Sequence, residues 1–201
     1  LSTGHRKITM NERWTKFLTE SKLRVFDFDD TLVKTDATVK VTDPNGKTKT
    51  LTPGEFAEHE VDEENQYDFS EFEQANLINP REIEKVTKVL RNVVNVGGER
   101  EVAILTARTP QSQGTIEDYL EEIGIDSNGI DIVLVGNPDP MAKANWIENK
   151  IVDGVTDILF LDDSGQNIDA VLGLKNKYPD IKIDARVVNY AEEIAESIIR
   201  K

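Results

Sequence analysis

The sequence predicts an α/β fold: a three-layer α/β/α, Rossmann-like core with a parallel sheet, plus a small inserted cap containing a β-hairpin. Three observations predict it. Short runs rich in Val, Ile and Leu alternate with helical segments, which is the rhythm of βαβ units. These runs are apolar on both faces, as strands buried in a parallel sheet are. An acidic stretch interrupts the rhythm early, and it opens on two short alternating runs joined by Asp43-Pro44-Asn45-Gly46, a strong hairpin signal.

Taken in order, residues 10–19 place Trp14, Phe17 and Leu18 on one helical face and read as a short N-terminal helix. Leu23-Arg24-Val25-Phe26 then runs as a strand straight into Asp27-Phe28-Asp29-Asp30-Thr31. The hairpin pairs 38–42 with 47–51. From 52 to 79 the chain is acidic and irregular, with Phe56, Tyr67, Phe69 and Phe72 among its few aromatics. It reads as an insertion with limited structure of its own, its aromatics Tyr67, Phe69 and Phe72 packed on the core or, as the alternative, lining the mouth of a site. Pro80 sits where a helix over 81–95 begins, carrying Ile83, Val86, Val89, Leu90 and Val93 at helical spacing. Gly97-Gly98 ends it as a turn. Strands at 102–105, 132–135, 158–161 and 183–188 then alternate with helices at 112–123, 141–151, 168–177 and 191–199. The core domain is thus 1–33 with 80–201, and the cap or flap is 34–79.

Composition removes several functions. The chain has no cysteine, which excludes disulfides, thiolate catalysis and Cys-ligated zinc and is compatible with the cytoplasm, the expected location. His5 and His59 are its two histidines, too few for a multi-His metal site; both are expected in solvent. The formal net charge of -14 repels a phosphate backbone, so an extended nucleic-acid surface is not expected. Clustered carboxylates suit a hard cation instead. No apolar run reaches the roughly 20 residues that cross a bilayer, and none reads as a secretory leader. The P-loop pattern is absent.

Ligands of open α/β sheets bind outside the carboxyl ends of the strands. Three strands here end in polar residues at that edge: Asp27-x-Asp29-x-Thr31, Thr106-Ala107-Arg108 and Asp162-Asp163. Any one of them alone could be an ordinary strand-end or helix cap. Together they crowd four acids at one edge, where they repel one another unless a cation sits among them.

These residues carry a resemblance. Val25-Phe26-Asp27-Phe28-Asp29-Asp30-Thr31-Leu32 is similar to the first motif of the haloacid dehalogenase (HAD) superfamily, in its DxDxT phosphatase form. Ile104-Leu105-Thr106 resembles the second motif, and Phe160-Leu161-Asp162-Asp163-Ser164-Gly165-Gln166-Asn167 the fourth. Lys143 is available as the lysine of the third. The match runs from 23 to about 170, in order.

The resemblance implies an aspartyl-phosphate mechanism. Asp27 would be the nucleophile and Asp29 the acid and then the base. Dehalogenases lack an acid at the second position, so Asp29 points to phosphoryl chemistry. Mg²⁺ would be held by the Asp27 carboxylate, the Asp29 backbone carbonyl and Asp162, supported by Thr31, Asp163 and Asn167. The roles of Asp162 and Asp163 could be exchanged. Thr106 and Lys143 would bind phosphate, with Lys150 as a competitor near the wrong end of its helix. Arg108 would touch substrate or form a surface salt bridge. Asp30 is expected to point elsewhere, as a surface or capping group.

About seventy residues separate the first two motifs, more than one helix needs. The hairpin reads as a flap that excludes water during attack. The expected activity is therefore a Mg²⁺-dependent phosphomonoester hydrolase acting on a small phosphorylated metabolite or nucleotide. A polynucleotide 3′-phosphatase acting on a nucleic-acid end, a phosphotransferase or mutase, and an idle binding module are the alternatives.

Overall fold

The structure, a computed structural model, describes residues 21–57, 59–72, 77–96, 98 and 100–188. The predicted helices at 10–19 and 191–199, and His5, lie outside them. Five parallel strands form the main sheet: β1 (Ser21–Phe26), β7 (Arg100–Thr106), β8 (Ile130–Leu134), β9 (Val155–Asp162) and β10 (Lys182–Val187). Their spatial order is β10-β9-β1-β7-β8. The chain builds outward from β1 to β8, then crosses back to lay β9 on the other flank of β1. The direction of winding reverses between β1 and β9, which opens a crevice at their carboxyl ends.

Period-two alternation explains the two helical layers. Leu23, Val25, Ala103 and Leu105 face one side of the sheet with Ile158 and Phe160. There they meet Ala144, Ile147 and Ile151 of α4 (Pro140–Val152) and Ile168, Val171 and Leu174 of α5 (Gly165–Lys177). Phe26, Val102 and Ile104 face the other side. They pack on Val86 and Leu90 of α2 (Glu84–Val96) and on Ile116, Tyr119 and Leu120 of α3 (Gln113–Glu122). The three-layer α/β/α core is as the sequence predicts.

One helix start differs. Arg81 and Glu82 do not open α2; they form a short strand, β6 (Arg81–Glu82), antiparallel to β2 (Val33–Lys34). The Ile83 amide donates to the Leu32 carbonyl at 3.0 Å. That tertiary bond holds the segment extended until Glu84, overriding the helix-start signal of Pro80. Val89, expected on the packed face of α2, is exposed at 36%.

Between β2 and β6 the insertion forms its own three-stranded sheet, β4-β3-β5, from β3 (Val39–Thr42), β4 (Thr48–Leu51) and β5 (Gln66–Asp68). The hairpin turn is built as its sequence indicates. The Asp43 carboxylate accepts the amides of Asn45 and Lys47, both at 2.9 Å, and Gly46 takes φ 81°, which glycine alone adopts without strain. The acidic stretch is more ordered than expected. It adds a short helix, α1 (Pro53–Ala57), the third strand and a helical turn at Ser70–Phe72. Its aromatics do not join the main core. Phe56, Tyr67, Phe69 and Phe72 gather with Ala37, Val39 and Val41 into a separate small cluster. Among the described residues no helix is long and apolar enough to cross a membrane.

Candidate active site

The site forms where β1, β7 and β9 end side by side. Asp27 directly follows β1, and its amide donates to the Leu161 carbonyl of β9 at 2.8 Å. This bond fixes the first carboxylate next to the last residue of β9, Asp162. Lys143 arrives from the first turn of α4, on the same buried face as Ile147 and Ile151. The start of that helix is set by Asp139, whose carboxylate caps the Met141 amide at 2.9 Å, and by Pro140 in the first turn. The Lys143 ammonium donates to Asp27 Oδ1 at 2.6 Å and to Asp162 Oδ2 at 2.8 Å, joining the two strand ends. Lys150 is elsewhere, paired with Glu101 at 2.7 Å and placed over the Trp146 ring.

Asp162 is fully buried and fully held. Its Oδ1 accepts the Ser164 amide at 2.8 Å, and Asn167 Nδ2 lies 3.0 Å from both oxygens. Ser164 also caps α5, accepting the Asn167 amide. The helix that follows β9 is therefore anchored by the same residues that orient the carboxylate. Carboxylate oxygens of Asp27, Asp162 and Asp163 all lie within 4.8 Å of one another.

Electrostatics sharpen this grouping. The Asp27 carboxyl is pushed up to about 7, by burial first and then by Asp162 and Asp29, against the pull of Lys143. Burial pushes Asp163 up to about 9, with the carboxylates of Asp27, Asp162 and Asp30 adding to it. Burial disfavours the Lys143 ammonium, but Asp27 and Asp162 outweigh it and hold the lysine charged. Three carboxylates thus face one ammonium. With all three ionised, the set carries two negative charges beyond the ammonium, and its donors are all hard oxygens, so the residues fit a divalent ion of the Mg²⁺ type.

The remaining expected residues divide into two groups. Thr106, at the end of β7, borders the same cleft as Asp27 and Lys143. Its hydroxyl accepts the Arg108 amide at 3.2 Å; the N-cap position before the helical turn at Pro110 belongs to Thr109 instead. Thr31 is fully buried in the turn after Asp29. Arg108 is not on the surface. It is 6% exposed, and its fork grips both Asp29 oxygens at 2.8 Å. Its third contact, at 2.8 Å, goes to the Phe72 carbonyl of the insertion. Asp29 therefore directs its carboxylate to Arg108, away from the group around Lys143.

Asp30 is not a surface group either. At φ 54° its side chain turns inward, is 5% exposed, and meets Lys34 at 2.6 Å. Burial raises its pKa against that pairing. His59 is half-buried rather than solvated. It lies 3.3 Å from the Tyr67 hydroxyl and borders the cleft. The cleft, about 450 Å³, also takes walls from Phe56, Asn137 and Gln166. None of these had a signal at a strand end. Asn137 comes from the loop after β8, which is pinned to the end of β7 by the Val135 amide on the Thr106 carbonyl and to the loop that follows it by the Gly136 amide on the Arg108 carbonyl.

No family model matches this sequence, and comparison with curated proteins and with solved structures finds no match either.

Proposed function

We propose that this chain is a Mg²⁺-dependent phosphomonoester hydrolase of the haloacid dehalogenase type, with Asp27 as nucleophile. The observation that carries the reading is the convergence of Asp27, Asp162 and Asp163 at the winding reversal, with Lys143 joining the first two. An ordinary set of strand caps would not crowd three carboxylates, two of them buried, within 4.8 Å of one another.

A divalent ion held by the carboxylates of Asp27, Asp162 and Asp163, and by the Asp29 carbonyl, would neutralise charge between nucleophile and phosphate. Lys143 and the Thr106 hydroxyl face the cleft from two sides and bind the phosphate oxygens. The Asp27 carboxylate bonds to phosphorus as the bond to the leaving oxygen breaks, and Asp29 gives that oxygen its proton. Water then attacks the aspartyl-phosphate while Asp29 takes a proton, which frees inorganic phosphate and restores Asp27. Arg108 fixes where Asp29 faces.

The test is Mg²⁺-dependent release of phosphate from an aryl phosphate, with product analysis to separate hydrolysis from transfer to an acceptor. Turnover by wild type that persists in Asp27→Asn would refute the mechanism.

A further inference from the structure

Beside the cleft lies a second cavity of about 240 Å³. Its walls come from Val39, Phe56, Phe69 and Phe72 of the insertion and from Arg108 and Pro138 of the core. Nothing in the reaction above occupies it. Asp29, Pro53, Phe56, Ala107 and Pro138 border both spaces, so the two adjoin.

We propose that this cavity receives the leaving group of the substrate, and that this group is flat and aromatic. The inference rests on the phosphatase reading. Asp29 links the two spaces. It protonates the leaving oxygen, and it stands on the border of both spaces. With phosphorus at Asp27, whatever is bonded to the leaving oxygen extends past Asp29 into the second cavity.

The walls then define the chemistry. The Phe56 and Phe69 rings meet edge to face with centroids 5.2 Å apart. The Arg108 guanidinium lies 5.4 Å from the centroid of Phe72, and both residues line the cavity. A flat ring stacks on such faces. A sugar would instead bring hydroxyls against rings that cannot satisfy them. Size agrees, since a cavity of about 150 Å³ already holds benzene, leaving room here for a substituted or double ring. The net charge of -14 argues against a polyanionic leaving group.

The experiment compares 2-phenylethyl phosphate with ethyl phosphate, whose leaving oxygens are similar alcohols, in Mg²⁺. The ratio of their kcat/KM values is expected to be about 10- to 100-fold in wild type, the worth of burying one ring. Phe69→Ala, which removes a wall, and Thr109→Trp, which fills the space, should each pull the ratio toward 1. The ratio cancels any general loss from a disturbed cap. A wild-type ratio near 1 overturns the proposal.

Ligand-observed NMR with 2-phenylethanol, run in chelator, separates the two readings. Saturable binding that Thr109→Trp abolishes, without turnover of any phosphate ester, keeps the aromatic cavity and removes the phosphatase. No saturable binding removes the cavity proposal, whatever the turnover.

Discussion

Two buried cations stand within this crevice and use their charge differently. Lys143 presents a compact ammonium to two carboxylates from neighbouring strands, all within the core. Arg108 presents a planar fork to a single carboxylate and spends its third contact on a carbonyl of the insertion. Ser112 joins it there, donating to the same Phe72 carbonyl at 3.0 Å. The lysine is thus outnumbered by carboxylates, and the excess negative charge around it suits a cation. The arginine is matched by one carboxylate and one carbonyl and fastens two parts of the molecule together. Burial alone does not tell a reactive charge from an architectural one; the balance of partners does.

The largest expected effect tests the reactive side. Asp27→Asn removes the proposed nucleophile at nearly constant volume, and single-turnover phosphate release should fall by about 10⁴-fold or more. Thermal stability should hold or rise, because one of three crowded carboxylates is gone.

Exchanging each cation for methionine addresses the contrast itself. Lys143→Met should lower kcat by about 10²- to 10³-fold and destabilise the fold by about 3–5 kcal/mol, since buried carboxylates lose their partner. Arg108→Met should cost a comparable 3–5 kcal/mol, but hydrogen exchange should rise first in residues 66–72. Similar exchange patterns for the two variants would erase the distinction.

Metal removal and pH act together. Asp27 and Asp163 both have folded pKa values above the ordinary carboxyl value, at about 7 and about 9. Their favourable contribution is complete below about pH 4 and is lost as pH rises through 7 to 9. In chelator, the melting temperature should therefore fall between pH 5 and pH 9. Mg²⁺ should flatten that slope by binding the folded form, and Asp163→Asn should flatten it without metal.

The smallest effect lies far from the crevice. Asp157 bridges Arg24 at 2.9 Å and Lys182 at 2.8 Å. Burial raises its carboxyl pKa, but the two cations outweigh it and leave it below the ordinary value. Its contribution is present above that value and vanishes as pH falls through the folded pKa. Asp157→Asn should cost about 1 kcal/mol at neutral pH, shrinking on acidification, with turnover unchanged.

The core was legible because its signals are local. Leu23 and Val25 alternate with Arg24 and Phe26, and that period alone assigns opposite faces. Asp27, Thr106 and Asp162 were legible because strand ends in a parallel sheet share one edge, so three stretches of sequence could be placed together without coordinates. Lys143 was legible through the resemblance, as the lysine of the third motif on the helix before the last motif-bearing strand. Other features depend on contacts no local pattern encodes. The extended Arg81-Glu82 follows from a partner some fifty residues away. The inward turn of Asp30 follows from a left-handed backbone stabilised by its surroundings. The fork of Arg108 needed the position of Phe72, which lies in a stretch without periodicity. Phe56 and His59 line the cleft only because the insertion packs as its own sheet.

The pairing of Val33 with Glu82 and of Lys34 with Arg81 has a consequence for how this chain could change. The insertion departs and returns through one narrow neck, whose two sides are already hydrogen-bonded neighbours. Its length can therefore vary at little more than the slow logarithmic expense of a longer loop, without moving β1 or α2. An insertion mounted on such a neck can be lengthened, trimmed or exchanged while the carboxylates beneath keep their places.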